Sequence, residues 1–180
     1  MEHTAVTAEA ITAMADEEFS GSGNRCHEVG DGYAIARRDV QPDELRPGGF
    51  VSGPTQFALA DAALWYVTFV GIGRIEPMAL TSELSIRFLR PAVGDVLWAR
   101  GTLDVAGRRS VVGTVSLWTT DESKPTAIAQ GTYMLPHTPS PGREPAPGRE
   151  PAPGSEPAPG RDPAPGREPA PGREPTPGRT

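Results

Sequence analysis

The sequence predicts an α+β fold, a long antiparallel sheet curved around one buried helix and followed by a disordered tail. Three observations carry this. Phe57 to Val70 is an apolar run interrupted only by Asp61 and Thr68. Four strand-like runs, each about ten residues long, follow it with short turn-rich connections. The last 40 of the 180 residues hold 13 of the 21 Pro and 7 of the 21 Gly, so they cannot contribute to a core. Removing that segment leaves a body that is roughly 44% hydrophobic, an ordinary globular proportion, and of a size for one domain. The expected division is a folded domain over residues 1–138 and a tail over 139–180.

The body opens with a helix over Thr7 to Phe19, where Thr7 caps and Ala8, Ile11, Met14 and Ala15 form an apolar stripe. Arg25 to Val29 and Gly32 to Val40 then make a β pair around Gly30-Asp31-Gly32. Gln41 to Val51 is a polar loop rich in Pro and Gly. Pro54 suits the first turn of a helix, Ser52 or Gly53 can cap it, and the apolar run continues to Gly71 and Gly73. A helix apolar on every face must be surrounded by protein, and 14 apolar-rich residues are too few to span a bilayer. The strands follow as Met78 to Leu89, Val96 to Val105, Ser110 to Thr119 and Thr126 to Leu135. Their short connections predict antiparallel sequence neighbours. One fully buried helix beside such a meander is most simply packed by a sheet wrapping around it, with its outer face wet.

From Pro141 the unit Pro-Gly-Arg-Glu-Pro-Ala recurs six times, drifting only at Ser155, Asp162 and Thr176. Alternating charge and recurrent Pro predict an extended, solvated segment, an inert spacer in preference to a docking tail. It is charge-neutral, so the whole net charge of −6 belongs to the body. An acidic body without a Lys/Arg block is a poor partner for nucleic acid. The lone Cys26 excludes an internal disulfide or a cysteine-based zinc site and suits a reducing compartment. With no secretion-type start, the expectation is a cytoplasmic protein.

Chemistry concentrates at the apolar helix. An unpaired buried carboxylate is expensive, so Asp61 either has a hydrogen-bonding partner on a neighbouring strand or lines a cavity. At the helix start, Gly53 leaves its N–H open to close approach beside the positive end of the helix dipole. This suits a carbonyl oxygen that becomes an oxyanion, although an ordinary Pro-initiated cap has the same sequence. Gly53 and Asp61 are eight residues apart, about 12 Å along a helix. That is too far for both to act on one carbonyl from the same chain. Two such helices antiparallel across a two-fold axis would join Gly53 of one to Asp61 of the other.

Pro47-Gly48-Gly49-Phe50-Val51-Ser52-Gly53-Pro54 followed by Phe57-Ala58-Leu59-Ala60-Asp61 resembles the helix entry of the hotdog-fold acyl-CoA thioesterases of the phenylacetate-pathway (PaaI-like) type. Ser85 to Pro91 with Gly94-Asp95, Gly107-Arg108-Arg109 and Gly131-Thr132-Tyr133 resemble the later strands and turns of that family. The resemblance spans roughly residues 24–136. It implies a hotdog fold, strand-paired homodimers often stacked into tetramers, and hydrolysis of an acyl-CoA without metal or organic cofactor. By position, Asp61 matches the family's nucleophile or general base, and Gly53 matches the glycine whose N–H polarises the thioester. Many relatives have His-Gly-Gly where this chain has Ser52-Gly53-Pro54, and an amide where it has Arg46. None of His3, His27 and His137 lies in the motif, so no histidine catalysis is implied.

Further candidates follow from that reading. Ser52 caps the helix or binds the thioester, Pro54 beside it is a further substrate-binding candidate, and Arg46 orients Asp61 or binds substrate. Trp65 and Thr68, one and two turns beyond Asp61, are candidates for the acyl pocket. Arg90, Arg108 and Arg109 are candidates for the nucleotide end of CoA. The alternatives are a non-catalytic acyl-CoA binding module and a scaffold acting through the tail. A hydratase is disfavoured by the lack of a suitably spaced Asp and His pair.

Overall fold

The structure, a computed structural model, describes residues 5–136. The repeat tail, its expected disorder, His3 and His137 lie outside the described residues.

Helix α1 (Ala8–Glu18) begins at Thr7, whose side chain accepts from the Ala10 amide at 3.2 Å. Its buried Ile11 and Ala15 pack toward strand β1 (Asn24–Gly30). Thr12 fixes that contact, because its hydroxyl accepts from the Cys26 amide at 3.0 Å and donates to the Cys26 carbonyl at 3.1 Å. Cys26 itself is buried, and burial pushes its thiol up to about 12. Strand β2 (Tyr33–Asp39) returns antiparallel from the Asp31-Gly32 turn.

The expected loop after β2 is more ordered than its composition suggests. A 3₁₀ turn (Pro42–Glu44) leads into a small hairpin of β3 (Leu45–Arg46) and β4 (Phe50–Val51). The Gly49 amide donates to the Arg46 carbonyl at 3.0 Å across Pro47 and Gly48, and Gly48 takes φ 94°. This is a type II turn, which requires positive φ at its third residue. Glu44 anchors the segment. It accepts from Arg38 Nε at 2.7 Å and from the Gln41 amide at 2.9 Å, and Arg38 also donates to Asn24 Oδ1 at 2.8 Å.

Helix α2 (Gly53–Ile72) runs past Gly71 and ends at Gly73, which takes the left-handed C-cap conformation with φ 67°. Its twenty residues and mean hydropathy of 1.2 would allow a membrane crossing by length and composition. Its burial against the sheet accounts for that composition: Leu59, Ala60, Ala63, Leu64, Val67 and Phe69 are all fully enclosed. Contrary to the expectation of burial on every face, Pro54, Phe57 and Ala58 form an exposed strip along its first two turns.

Strands β5 (Leu80–Phe88), β6 (Val96–Ala106), β7 (Ser110–Trp118) and β8 (Ala127–Met134) complete an antiparallel sheet of order β1-β2-β6-β7-β8-β5. The simple meander is therefore corrected at one place: β5 pairs with β8, not with β6. Residues 89–95 make this possible. Seven extended residues reach about 23 Å, whereas three strand spacings need about 14 Å. The segment is tied along the sheet end, where the Leu89 amide donates to Thr126, the Ala92 carbonyl accepts from Val51 and the Asp95 carbonyl accepts from Val40.

Inward positions alternate along the strands, as period two requires; Val111, Val115 and Leu117 on β7 and Ala127, Ala129 and Tyr133 on β8 are buried. Two glycines let α2 press onto this face. A Cβ at Gly101 would stand 2.5 Å from the Ala63 carbonyl oxygen, and one at Gly131 would stand 2.7 Å from Leu64 Cδ2.

Candidate active site

The Ser52 side chain caps α2, accepting from the Thr55 amide at 3.3 Å and lying 2.8 Å from the Thr55 hydroxyl. Gly53 thus occupies the first helical position, and its missing Cβ faces the Phe88 ring at 3.4 Å. Two turns on, Asp61 is partly buried in the wall of a cavity of about 280 Å³. Ala58, Ala62, Trp65 and Tyr66 of α2, Phe19 of the α1 end and Tyr133 of β8 also line it, and Asp61 is the single ionisable carboxylate in that wall. Trp65 is 9% exposed and receives the Phe19 ring edge-on at 5.3 Å.

Asp61 satisfies both sequence expectations at once, for it lines a cavity and is hydrogen-bonded to neighbouring strands. The Tyr133 phenol donates to Asp61 Oδ1 at 2.8 Å, and the Thr81 hydroxyl donates to the same oxygen at 2.9 Å. Burial and, second, the Asp61 charge push the Tyr133 phenol well above the usual tyrosine range, so it is held as a donor. Thr81 reaches Asp61 because of a bulge. Thr81 pairs with Tyr133, but Glu83 already pairs with Thr132, leaving Ser82 as the extra residue. Leu84, three residues from Thr81, packs on the core, so strict alternation would turn Thr81 outward. The bulge reverses the phase and re-aims its side chain.

The other sequence candidates fall into separate groups. Arg46 is exposed on β3, and Pro54 is exposed on the first turn of α2, so both stand at the Gly53 end of the helix. Arg90 is exposed beyond Phe88 at that same end. Arg108 and Arg109 are exposed in the β6–β7 turn next to Ser110, which is in register with Met134 and through it with Leu80, at the Asp61 end. Within one chain the three CoA candidates are therefore not a cluster. Thr68 corrects the expectation of an acyl-pocket role. It is fully buried, its hydroxyl donates back to the Leu64 carbonyl at 2.8 Å, and it is not in the cavity wall. Among the described residues no group of three His, Cys, Asp or Glu side chains is placed to hold a metal ion.

The family model of the thioesterase superfamily matches residues 48–126, a stretch containing the whole of α2 with Gly53 and Asp61. A solved protein from a Silicibacter species, assigned as a thioesterase, is 31% identical, with 76% of this chain and 96% of that chain covered and a TM-score of 0.65. The chain belongs to the hotdog-fold thioesterase superfamily. Two more distant structures share this superfamily fold. The PaaI protein of the Escherichia coli phenylacetic acid degradation operon is 23% identical over 71% of this chain and 94% of its own, with a TM-score of 0.57. A Haemophilus influenzae thioesterase is 18% identical over 76% of this chain and 95% of its own, with a TM-score of 0.63. No curated protein matches the chain.

Tyr133, Thr81 and Phe19 were not candidates on sequence. A bulge and a cross-sheet contact have no local signal, although Tyr133 belongs to the Gly131-Thr132-Tyr133 stretch that carries part of the family resemblance.

Proposed function

We propose that the protein hydrolyses an acyl-CoA thioester to the free acid and CoA, and that it does so as a homodimer. The observation that carries this is the Asp61 carboxylate in the wall of an otherwise uncharged, largely apolar cavity, within a thioesterase-superfamily chain. The acyl group enters past Asp61 toward Phe19, Trp65 and Tyr66. The partner's Gly53 N–H receives the thioester carbonyl, and Asp61 takes a proton from water as the water oxygen bonds to the carbonyl carbon. Collapse of the tetrahedral species breaks the C–S bond, and the CoA sulfur receives the proton. Direct attack by Asp61, giving an anhydride that water then opens, uses the same geometry.

The dimer is supported by what one chain leaves uncovered. β5 is an outer strand with Leu80 65% and Phe88 50% exposed, and the Phe57 strip of α2 lies beside it. An unpaired apolar edge is a template for a second strand. Antiparallel pairing about a two-fold axis brings the Gly53 end of one subunit to the Asp61 end of the other. The partner's Arg46 and Arg90 then join Arg108 and Arg109 around each site, with the cations the CoA phosphates need. Stacking of such dimers into tetramers would use the outer sheet face.

The test is thiol release from short, medium, long and aryl acyl-CoAs by wild type beside Asp61→Asn. Turnover on at least one substrate, reduced by about 10³-fold or more in Asp61→Asn, is expected. No turnover on any substrate, with equal binding by both proteins, would establish the non-catalytic binding module instead.

A further inference from the structure

Asp61 has two carboxylate oxygens, and the protein treats them differently. Both hydroxyl donors, Tyr133 at 2.8 Å and Thr81 at 2.9 Å, converge on Oδ1. Oδ2 receives no hydrogen bond from the described residues, while the side chain as a whole borders the cavity. A carboxylate held by one oxygen cannot swing or exchange its two oxygens freely.

We propose that Tyr133 is the positioning residue of this site: its phenol ties Asp61 Oδ1 to strand β8, so that Oδ2 is the oxygen presented to water or thioester. The inference rests on the hydrolase reading above and deepens it. Three features of the surroundings support it. The Tyr133 ring is 4% exposed and enclosed on the inward face of the sheet, so its hydroxyl is placed by packing, not by the carboxylate. The phenol oxygen also lies 3.3 Å from the Asp61 carbonyl, so its single proton is shared in a three-centre bond whose longer arm registers it against the helix backbone as well. Gly131, two residues earlier on the same face, lets α2 sit close enough for that reach. The substrate side is left free, since Tyr133 spends its donor on Asp61 and touches no reacting atom. Reaction rates fall steeply when an attacking atom is misplaced by even about 1 Å, so loss of this tie is expected in kcat.

The experiment is steady-state thiol release by the full chain, with Tyr133→Phe in the wild-type and in the Asp61→Asn backgrounds. Tyr133→Phe removes one hydroxyl and keeps the ring, so thermal unfolding is expected to shift by a few degrees at most. The expected result is a kcat lowered about 10- to 100-fold with KM within about threefold. In the Asp61→Asn background the same change is expected to leave the residual rate within about twofold, because the group it acts through has gone. Incorporation of 3-fluorotyrosine at position 133, which retains the hydroxyl, should restore kcat near neutral pH, and it serves as the probe if Tyr133→Phe does not fold. Wild-type kcat in Tyr133→Phe, an equal loss in both backgrounds, or failure of the hydroxyl-bearing analogue to support turnover would overturn the positioning role while leaving an active wild-type enzyme a hydrolase. An inactive wild type overturns the hydrolase reading and this inference with it.

Discussion

Asp61 keeps a carboxylate in an apolar wall because two hydroxyl groups, from strands at the far side of the sheet order, meet one of its oxygens. Hydrogen bonds to a charged group stabilise by about 1.5–3 kcal/mol each, enough to offset partial loss of hydration. At this scale the sequence was informative about residue type and position, and silent about partners. An Asp in an apolar helix announces a special site, but Thr81 is 20 residues and Tyr133 72 residues away along the chain. Thr68 shows the opposite failure, since helical spacing placed it on the Asp61 face, yet its hydroxyl found a local carbonyl instead. Ser52 is a further residue-scale test. Ser52→Ala removes the cap of α2 and should destabilise by about 1 kcal/mol, whereas Ser52→Asp, an equally good cap, should not. Denaturant midpoints of the two variants decide this.

At the scale of elements, the seat of α2 is set by small residues. The Gly101 Cα lies where any side chain would meet the Ala63 carbonyl, so Gly101→Ala forces the helix off the sheet. Overpacking of this kind costs about 1–3 kcal/mol, and the same displacement moves Asp61 relative to Tyr133. Lower stability in urea together with lower turnover is the expected pair of outcomes. The entry to α2 depends on the Arg38–Glu44 network. Burial opposes the Glu44 charge, but the hydrogen bonds from Arg38 and the Gln41 amide outweigh it and hold its carboxyl below the ordinary 4.5. A depressed folded value stabilises above the unfolded one and is lost as pH falls through the folded one. The stability advantage of wild type over Glu44→Gln should therefore be constant above about pH 4.5 and shrink below it, as thermal melts across acid pH would show. Helix limits and strand runs were largely legible, because Thr7, Ser52-Gly53-Pro54, Gly73 and the period-two alternation are local signals. The β5–β8 pairing and the β5 bulge were not. The pairing depends on how a seven-residue connection crosses the sheet end, and the bulge on how the start of β5 meets Tyr133 and Thr132, neither of which turn composition encodes.

For the whole molecule, the proposed dimer makes each chain the carrier of two half-sites. Gly53, with Arg46 and Arg90 near it, lies at the start of α2, and Asp61 with its cavity lies two turns on, about 12 Å along the helix. In the proposed dimer, the exposed outer strand and the Phe57 strip are the surface on which a second copy completes both. Replacing Leu80 with Glu on that edge is expected to shift sedimentation from dimer to monomer and to abolish turnover, with the monomer still folded by circular dichroism. The most direct test is a heterodimer of Asp61→Asn with Gly53→Pro, isolated through two different tags. Gly53→Pro deletes the N–H while Ser52, at φ −65° and ψ 153°, already has the extended backbone that precedes Pro. Each homodimer should be inactive. A site shared between subunits predicts that the heterodimer recovers about half of wild-type turnover, since one of its two sites has both groups intact. A heterodimer as inactive as either parent would contradict the account.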